Sequence, residues 1–425
     1  MSEEIDRHIL RKYDVVQKLG KGAYGIVWKA IDKKSRDVVA LKKCYDAFQN
    51  ATDAQRTFRE IMFLQDLSGH ENIVHLINVL KADNDRDIYI VTDYMESDLH
   101  AVIRANILED IHKQYIIYQM LRCLKYMHTG KMLHRDIKPS NILLNSDCLV
   151  KVCDFGLART ATQMSQEKGD PAPVLTDYVA TRWYRAPEIL LGSTSYTYGV
   201  DIWAVGCILG ELLNGKPIFP GSSTMNQLDR ILEVTGRPSA EDVAALQSPF
   251  AETMLESLPS NRHRTLDNNR FKEMFPSASN EALSFLRECL KFNPQRRISA
   301  EKSLHHAYVA QFHNPADEPS CPKPISIPLD DNTKLSVADY RDKLYAEVVK
   351  RRKDDRRPSS SYDGNGGQSG SQARPGSQAA SGQRKSAGGN PGDWEKVESR
   401  SQPGRFYYVN KRTGAKQWEK PEGVA

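Results

Sequence analysis

Apolar and polar positions alternate with a period of two around a glycine cluster at residues 20–25, which predicts paired strands at the start of the chain. The pattern changes to the helical period over residues 52–67, then returns to strand character near residues 88–95, where a hinge is expected. Beyond residue 110 the helical period dominates, most clearly over residues 112–128 and 199–215. These patterns fit a small sheet-rich lobe joined to a larger helical lobe. The expected fold class is therefore α+β, bilobal, over residues 10–312.

Residues 313–357 are an extension of that unit. Its proline-rich stretch 314–328 predicts irregular chain, after which Leu335, Tyr340, Leu344, Tyr345 and Val348 fall on one helical face, as in a helix packing back on the domain. Residues 358–390 hold eight glycines among Ser, Gln and Ala, with almost nothing to bury. They are expected to be a disordered linker with a root-mean-square span of ~30 Å. Aromatic residues return in a last small module, 391–423.

A chain of 425 residues has room for two or three domains, and it contains no run of 18 apolar residues to span a membrane. The N-terminus lacks an apolar signal core and Ser2 stands where myristoylation needs glycine, so the protein is expected inside the cell. Seven cysteines are scattered without a Cys-x-x-Cys pair, which implies reduced thiols and no structural zinc. The net charge is +5, and residues 350–393 account for all of it with nine Lys/Arg against four Asp. A basic tether explains this charge, so neither a nucleic-acid nor a membrane partner is expected. Lys350–Lys353 reads as a solvated helix end or as a nuclear-import signal. The cytoplasm is the expected location, with the nucleus as the alternative.

The chemistry lies in the spacing of a few motifs. Gly20, Gly22 and Gly25 stand in a Gly-x-Gly-x-x-Gly-x-Val run that lets a hairpin backbone approach phosphate oxygens closely. A dinucleotide fold uses similar spacing, but here a second strand follows, ending in Val39-Ala40-Leu41-Lys42. The strand period puts Ala40 against an adenine and Lys42 against the α- and β-phosphates. Glu60, within the predicted helix, is the carboxylate that would hold Lys42 in direction. In His134-Arg135-Asp136-Ile137-Lys138-Pro139-Ser140-Asn141, Asp136 would orient a substrate hydroxyl and accept its proton, while Lys138 neutralises the moving phosphoryl group. Asn141 and Asp154, the latter in Asp154-Phe155-Gly156, are the expected magnesium ligands. ATP and Mg2+ are thus implied without any cysteine or histidine ligand. Between that aspartate and Ala186-Pro187-Glu188 lies Thr176-Asp177-Tyr178, two hydroxyls that read as a phosphorylation switch.

These motifs, in this order, resemble a eukaryotic protein kinase of the proline-directed group, and specifically the mitogen-activated protein kinases. The resemblance covers about residues 10–350 and is strongest to the atypical extracellular-signal-regulated branch, whose members often phosphorylate their own activation loop. It implies that Leu19 and Val27 cover the adenine and Leu143 forms its floor. It makes Thr92 the gatekeeper, Asp93 and Met95 hinge residues and Asp98 a neighbour of the ribose. Asp201 would brace the catalytic loop and Arg297 would pair with Glu188. Phosphorylated Thr176 would gather Arg59, Arg135 and Arg159, and phosphorylated Tyr178 would face Arg182 and Arg185. Residues 179–185 resemble the proline-directed pocket, so Ser-Pro and Thr-Pro sites are the expected substrates. The acidic docking patch of the family falls at residues 314–318, where Asn314 replaces an acid and weaker binding of basic peptides is expected.

Trp394, Tyr407, Tyr408, Trp418 and Pro421 resemble a WW domain, a small three-stranded antiparallel β-sheet. Tyr407 and Trp418 would form its groove for proline-containing peptide. The loop of Ser399 and Arg400 resembles the phosphate-gripping loop of the parvulin-type isomerase WW domain, with one residue inserted. The sequence therefore describes an active proline-directed Ser/Thr kinase, monomeric, with a tethered module for phosphorylated or plain proline-rich partners. A scaffold acting mainly through the WW domain is the alternative, and the complete set of Lys42, Glu60, Asp136, Asn141 and Asp154 speaks against it.

Overall fold

A computed structural model describes residues 3–22, 25–161, 163, 182–193, 196–259, 268–329, 333, 335–354, 394–398, 406–410 and 416–417. The chain divides into two compact units, Met1–Pro358 and Ser359–Ala425. The expected linker at 358–390 and the Thr176-Asp177-Tyr178 segment lie outside the described residues.

The first unit opens on a five-stranded antiparallel sheet of order β1-β2-β3-β5-β4. Its strands are β1 (Tyr13–Gly22), β2 (Gly25–Asp32), β3 (Val38–Cys44), β4 (Leu76–Lys81) and β5 (Ile88–Asp93). The register sets Val27 opposite Lys42 and Ala40 opposite Thr92. Directly opposed residues share a face, and so do residues two apart on one strand. Val27, Ala40, Lys42 and Thr92 therefore lie on one side of the sheet. The other side buries Ala30, Val39, Leu41, Tyr89 and Val91 with Ile9 and Tyr13.

The Ala51–Asp66 helix starts where Asn50 accepts a hydrogen bond from the Asp53 backbone N–H, which satisfies one of the helix's orphan donors. Ala54, Phe58, Ile61 and Met62 recur at helical spacing and are buried. They share a cluster with Tyr340, Leu344 and Val348 of the Val337–Asp354 helix, and the rings of Phe58 and Tyr340 lie 6.1 Å apart. The extension thus backs this helix with the apolar face that its spacing predicts. Burying a side chain of this size contributes roughly 1.5–3 kcal/mol, enough to hold the two helices as one layer.

In the second lobe the Asp110–Thr129 and Gly199–Asn214 helices form the centre. The latter is buried almost all round, so it shows no polar face, and Trp203 stacks on Phe219 with centroids 5.8 Å apart. Gly215 ends it at φ 70°, a conformation that favours glycine. Among the described residues no helix is long and apolar enough to cross a membrane.

The second unit is a three-stranded antiparallel sheet of Trp394–Glu398, Phe406–Asn410 and Lys416–Gln417. Trp394 pairs with Asn410 and Tyr408 with Gln417. Ser399, Arg400 and Trp418 lie outside the described residues, and Tyr407 is placed by its strand alone.

Candidate active site

The catalytic loop is held from below by one buried carboxylate. Asp201 accepts hydrogen bonds from the backbone N–H of His134 at 3.0 Å and of Arg135 at 2.9 Å, and lies 3.0 Å from His128 Nε2. Burial works to raise its pKa, but the hydrogen bond and charge of His128 outweigh that and keep it below the ordinary range. Arg135 sits at φ 69°, a conformation rare for a side-chain-bearing residue, and these bonds hold it there.

Above this brace, Lys138 Nζ lies 2.6 Å from Asp136 Oδ2, and Asn141 Nδ2 donates to the same oxygen at 3.1 Å. Asn141 also donates to the Asp136 carbonyl at 2.8 Å. Two donors therefore converge on one carboxylate oxygen, and the other, Oδ1, takes part in neither bond. With its amide nitrogen committed, Asn141 offers its amide oxygen to a cation.

Lys42 Nζ lies 3.4 Å from Glu60 Oε1. The Glu60 charge pushes the Lys42 pKa up, with burial opposing, so the ammonium remains charged. Asp154 adopts φ 65°. Burial tends to raise its carboxyl, but Lys42 and Arg56 outweigh it and hold it below the usual carboxylate range. An ionised carboxylate and an amide oxygen form a donor set suited to a hard, oxygen-loving cation such as magnesium.

The nucleotide-facing residues follow from the sheet register. Val27 and Ala40 are half-buried on the Lys42 face, Leu19 is exposed near the end of β1, and Met95 is buried beyond β5. Gly20 pairs with Val27 and Gly22 with Gly25, while the tip of that loop, residues 23–24, lies outside the described residues. Leu143 pairs with Asp98 across short strands, and Asp98 Oδ1 also caps the Leu99–Ala105 helix through the Ala101 N–H at 2.9 Å. The Asp93 carboxylate is committed elsewhere, at 2.9 Å from Lys151 Nζ and 3.0 Å from the His75 N–H. The Asp93 N–H donates to the His75 carbonyl at 3.2 Å, so its own carbonyl is the group Asp93 would offer a nucleotide.

Of the expected phosphate-binding arginines, Arg59 and Arg159 are buried and Arg135 is half-buried with its guanidinium 4.5 Å from the Tyr196 ring centre. Arg135 and Arg185 line one cavity together with Asp136. Arg182 instead donates to the Ser222 carbonyl at 2.9 Å. The adjacent Trp183 Nε1 donates to the Gly221 carbonyl at 3.1 Å, and Tyr184 donates to Glu211 at 2.6 Å. Glu188 and Arg297 form a bidentate pair, both contacts at 2.6 Å and both side chains fully buried.

Some of the site was not anticipated from the sequence. Arg56 stands four residues before Glu60 on the same helix face and reaches the glycine of the Asp-Phe-Gly motif. A Cβ on Gly156 would lie 2.7 Å from Arg56 Nε. The helical spacing was the available signal. Glu3 bridges Lys18 and Lys21 of the glycine-rich hairpin at 2.9 Å each, and those two lysines hold its pKa down at about 2. No local pattern announces that contact.

Comparison with known proteins matches residues 13–309 to a protein kinase domain and residues 390–421 to a WW domain. The chain is 65% identical to Extracellular signal-regulated kinase 2 of Dictyostelium discoideum over 360 residues, 85% of this chain and 96% of that protein. It is 54% identical to Mitogen-activated protein kinase 15 of Xenopus laevis over 356 residues, 83% of this chain and 60% of the relative. Against Mitogen-activated protein kinase 15 of Caenorhabditis elegans the identity is 50% over 350 residues, 82% of this chain and 73% of the relative.

Proposed function

The chain belongs to the protein kinases, and within them to the mitogen-activated kinases, and from that premise we propose that it phosphorylates Ser-Pro and Thr-Pro sites under the control of its own Thr176 and Tyr178. The observation that carries this reading is the single free direction of Asp136. With Lys138 and Asn141 both on Oδ2, the remaining oxygen is positioned to accept a hydrogen bond from a serine or threonine hydroxyl and later its proton. Lys138 is then close enough to screen charge on the transferring group, and Lys42, aimed by Glu60, would hold the α- and β-phosphates of ATP.

Kinases of this family use ATP with magnesium. Asp154 and the Asn141 amide oxygen are the residues that would hold the metal, which would neutralise charge on the phosphate oxygens. Proline after the acceptor suits a pocket that leaves that position's backbone nitrogen without a partner, because proline has no N–H to bury.

Replacing the proline of a Ser-Pro peptide by alanine should lower kcat/KM by ~10-fold or more, as expected for a lost specificity contact. Equal rates would remove the proline-directed reading. Mass spectrometry of phosphatase-treated chain after incubation with Mg-ATP should find phosphate on Thr176 and Tyr178. The Asp136→Asn chain should lack both; if wild type lacks them while phosphorylating a peptide, self-activation is wrong.

The WW domain recruits proline-containing partners. Ser399 and Arg400, a hydroxyl and a guanidinium, support a preference for phosphate before the proline. Titrating the full chain with matched Ser-Pro and phospho-Ser-Pro peptides tests this, with Trp418→Phe to isolate the module. Equal affinities leave plain proline recognition.

A further inference from the structure

Ser248-Pro249 is the one place in the 425 residues where serine or threonine precedes proline. It lies on the connector between the Ala240–Ala245 and Ala251–Glu256 helices, in a stretch that the catalytic machinery does not use. Gln247 takes φ 50°, a left-handed conformation that is strained for a side-chain-bearing residue. Pro249 and Phe250 follow as exposed residues, and Phe250 leaves 60% of its surface in water.

The serine itself is fastened lightly. Its hydroxyl donates to the Leu191 carbonyl and accepts from the Phe250 N–H at 3.2 Å. The Phe250 ring rests against Gly192, where an added Cβ would lie 3.3 Å from it. Leu191 is the C-cap of the Pro187–Leu190 helix, so the connector is tied to the segment that begins Ala186-Pro187-Glu188. The hydroxyl bond and the ring edge tie the Ser-Pro-Phe stretch to residues 191 and 192, while the Phe250 carbonyl stays with the following helix through the Met254 N–H at 3.0 Å. Pro249 adds no N–H to be re-satisfied.

We propose that Ser248 is a phosphoryl-acceptor site for a second copy of this kinase, an inference that rests on the proline-directed reading above. Ser248 and Asp136 belong to the same compact unit, so the acceptor has to be presented to another copy's active site. In the step, Ser248 Oγ bonds to the γ-phosphorus of ATP, the bond from that phosphorus to the β–γ bridging oxygen breaks, and ADP leaves. The hydroxyl proton passes to the Asp136 carboxylate of the acting copy. That proton is the one that now bonds Leu191, so the tie and the phosphate exclude each other. Arg237 lines the same groove as Ser248 and Pro249, with its guanidinium donating to the Leu258 carbonyl at 2.6 Å and with Glu252 and Glu256 in the same lining, so the new charge meets one cation and two acids there.

The test mixes full-length Asp136→Asn chain, distinguished by a mass tag, with wild-type chain, Mg-ATP and a free peptide of residues 243–253. Mass spectrometry should find phosphate on Ser248 of the inactive chain, none when wild type is omitted, and none in the tagged Ser248→Ala,Asp136→Asn chain. Pro249→Ala in the tagged chain should slow that phosphorylation by ~10-fold or more. Phosphorylation of the free peptide without Ser248 in the folded chain overturns this proposal alone. Absence of phosphate on both overturns the proline-directed reading and this inference with it. A Pro249→Ala rate equal to wild type also overturns it.

Discussion

Asp93 and Lys151 are joined at 2.9 Å, and through them the end of β5 is fastened to the Val150–Val152 strand that leads to Asp154. The same carboxylate takes the His75 N–H, so one side chain ties three segments around the hinge. Lys151→Met should loosen the hinge main chain while leaving the Asp136 cluster alone. The expected result is an ATP KM raised ~5-fold, the equivalent of about 1 kcal/mol, with kcat within about twofold. Steady-state kinetics at saturating peptide decide this, and an unchanged KM would show the pair to be incidental.

Removing one member of the buried Arg297–Glu188 pair leaves the other charge without its partner. Arg297 also donates to the carbonyls of Lys291, Phe292 and Gly199, so its loss strands several acceptors at once. Arg297→Met should cost roughly 3–5 kcal/mol of stability. Adding Glu188→Gln should recover part of that loss, because the stranded charge is gone. Urea unfolding of the two variants measures both effects.

Acid sensitivity is expected from His70. Burial, then the charge of Arg122, lowers its pKa to about 4, and its Nδ1 accepts the Asn72 N–H at 3.1 Å. Because the folded pKa lies below the ordinary value near 6.5, the unfolded chain binds the proton more readily between those limits. Stability should therefore fall as pH drops from about 6.5 toward 4, by up to roughly 3 kcal/mol. His70→Asn keeps an acceptor for the Asn72 N–H without a titrating ring. Its unfolding free energy should be flatter across that window, and an identical slope would assign the effect to other groups.

The docking patch offers less negative charge than its family position implies. Asn314 Nδ2 donates to Asp317 Oδ2 at 2.6 Å, and Glu318 is buried against His313 at 2.8 Å. Asp317 is thus the one exposed acid of the three positions. Asn314→Asp should tighten binding of a basic docking peptide by about 3- to 10-fold at low salt, with the gain shrinking as salt is added. Fluorescence anisotropy across a salt series measures it.

Several side-chain clusters of the candidate site were legible before any coordinates. Lys42, Glu60, Asp136, Lys138, Asn141 and Asp154 were singled out because phosphoryl transfer needs such groups at short, fixed spacings, and the structure brings Lys42 to Glu60 and both Lys138 and Asn141 to Asp136. The apolar face at Tyr340, Leu344 and Val348 was legible for a similar reason, since helix packing leaves a periodic trace. Resemblance places Asp93 at the nucleotide as a hinge residue, and the structure adds that its carboxylate is bound to Lys151. No local pattern says which of two nearby partners an acid will choose.

By itself, the sequence determined the order of the phosphoryl-transfer groups, the bilobal α+β pattern and the presence of a separate aromatic module near the C-terminus. Those follow from periodicity and from chemistry confined to short stretches. Only the tertiary structure decided that Arg56 covers Gly156, that Glu3 grips Lys18 and Lys21, and that the Ser248 hydroxyl is held by Leu191. Each of these joins segments distant in the chain, and such contacts depend on how packed elements meet in space. Periodicity along one element carries no record of that.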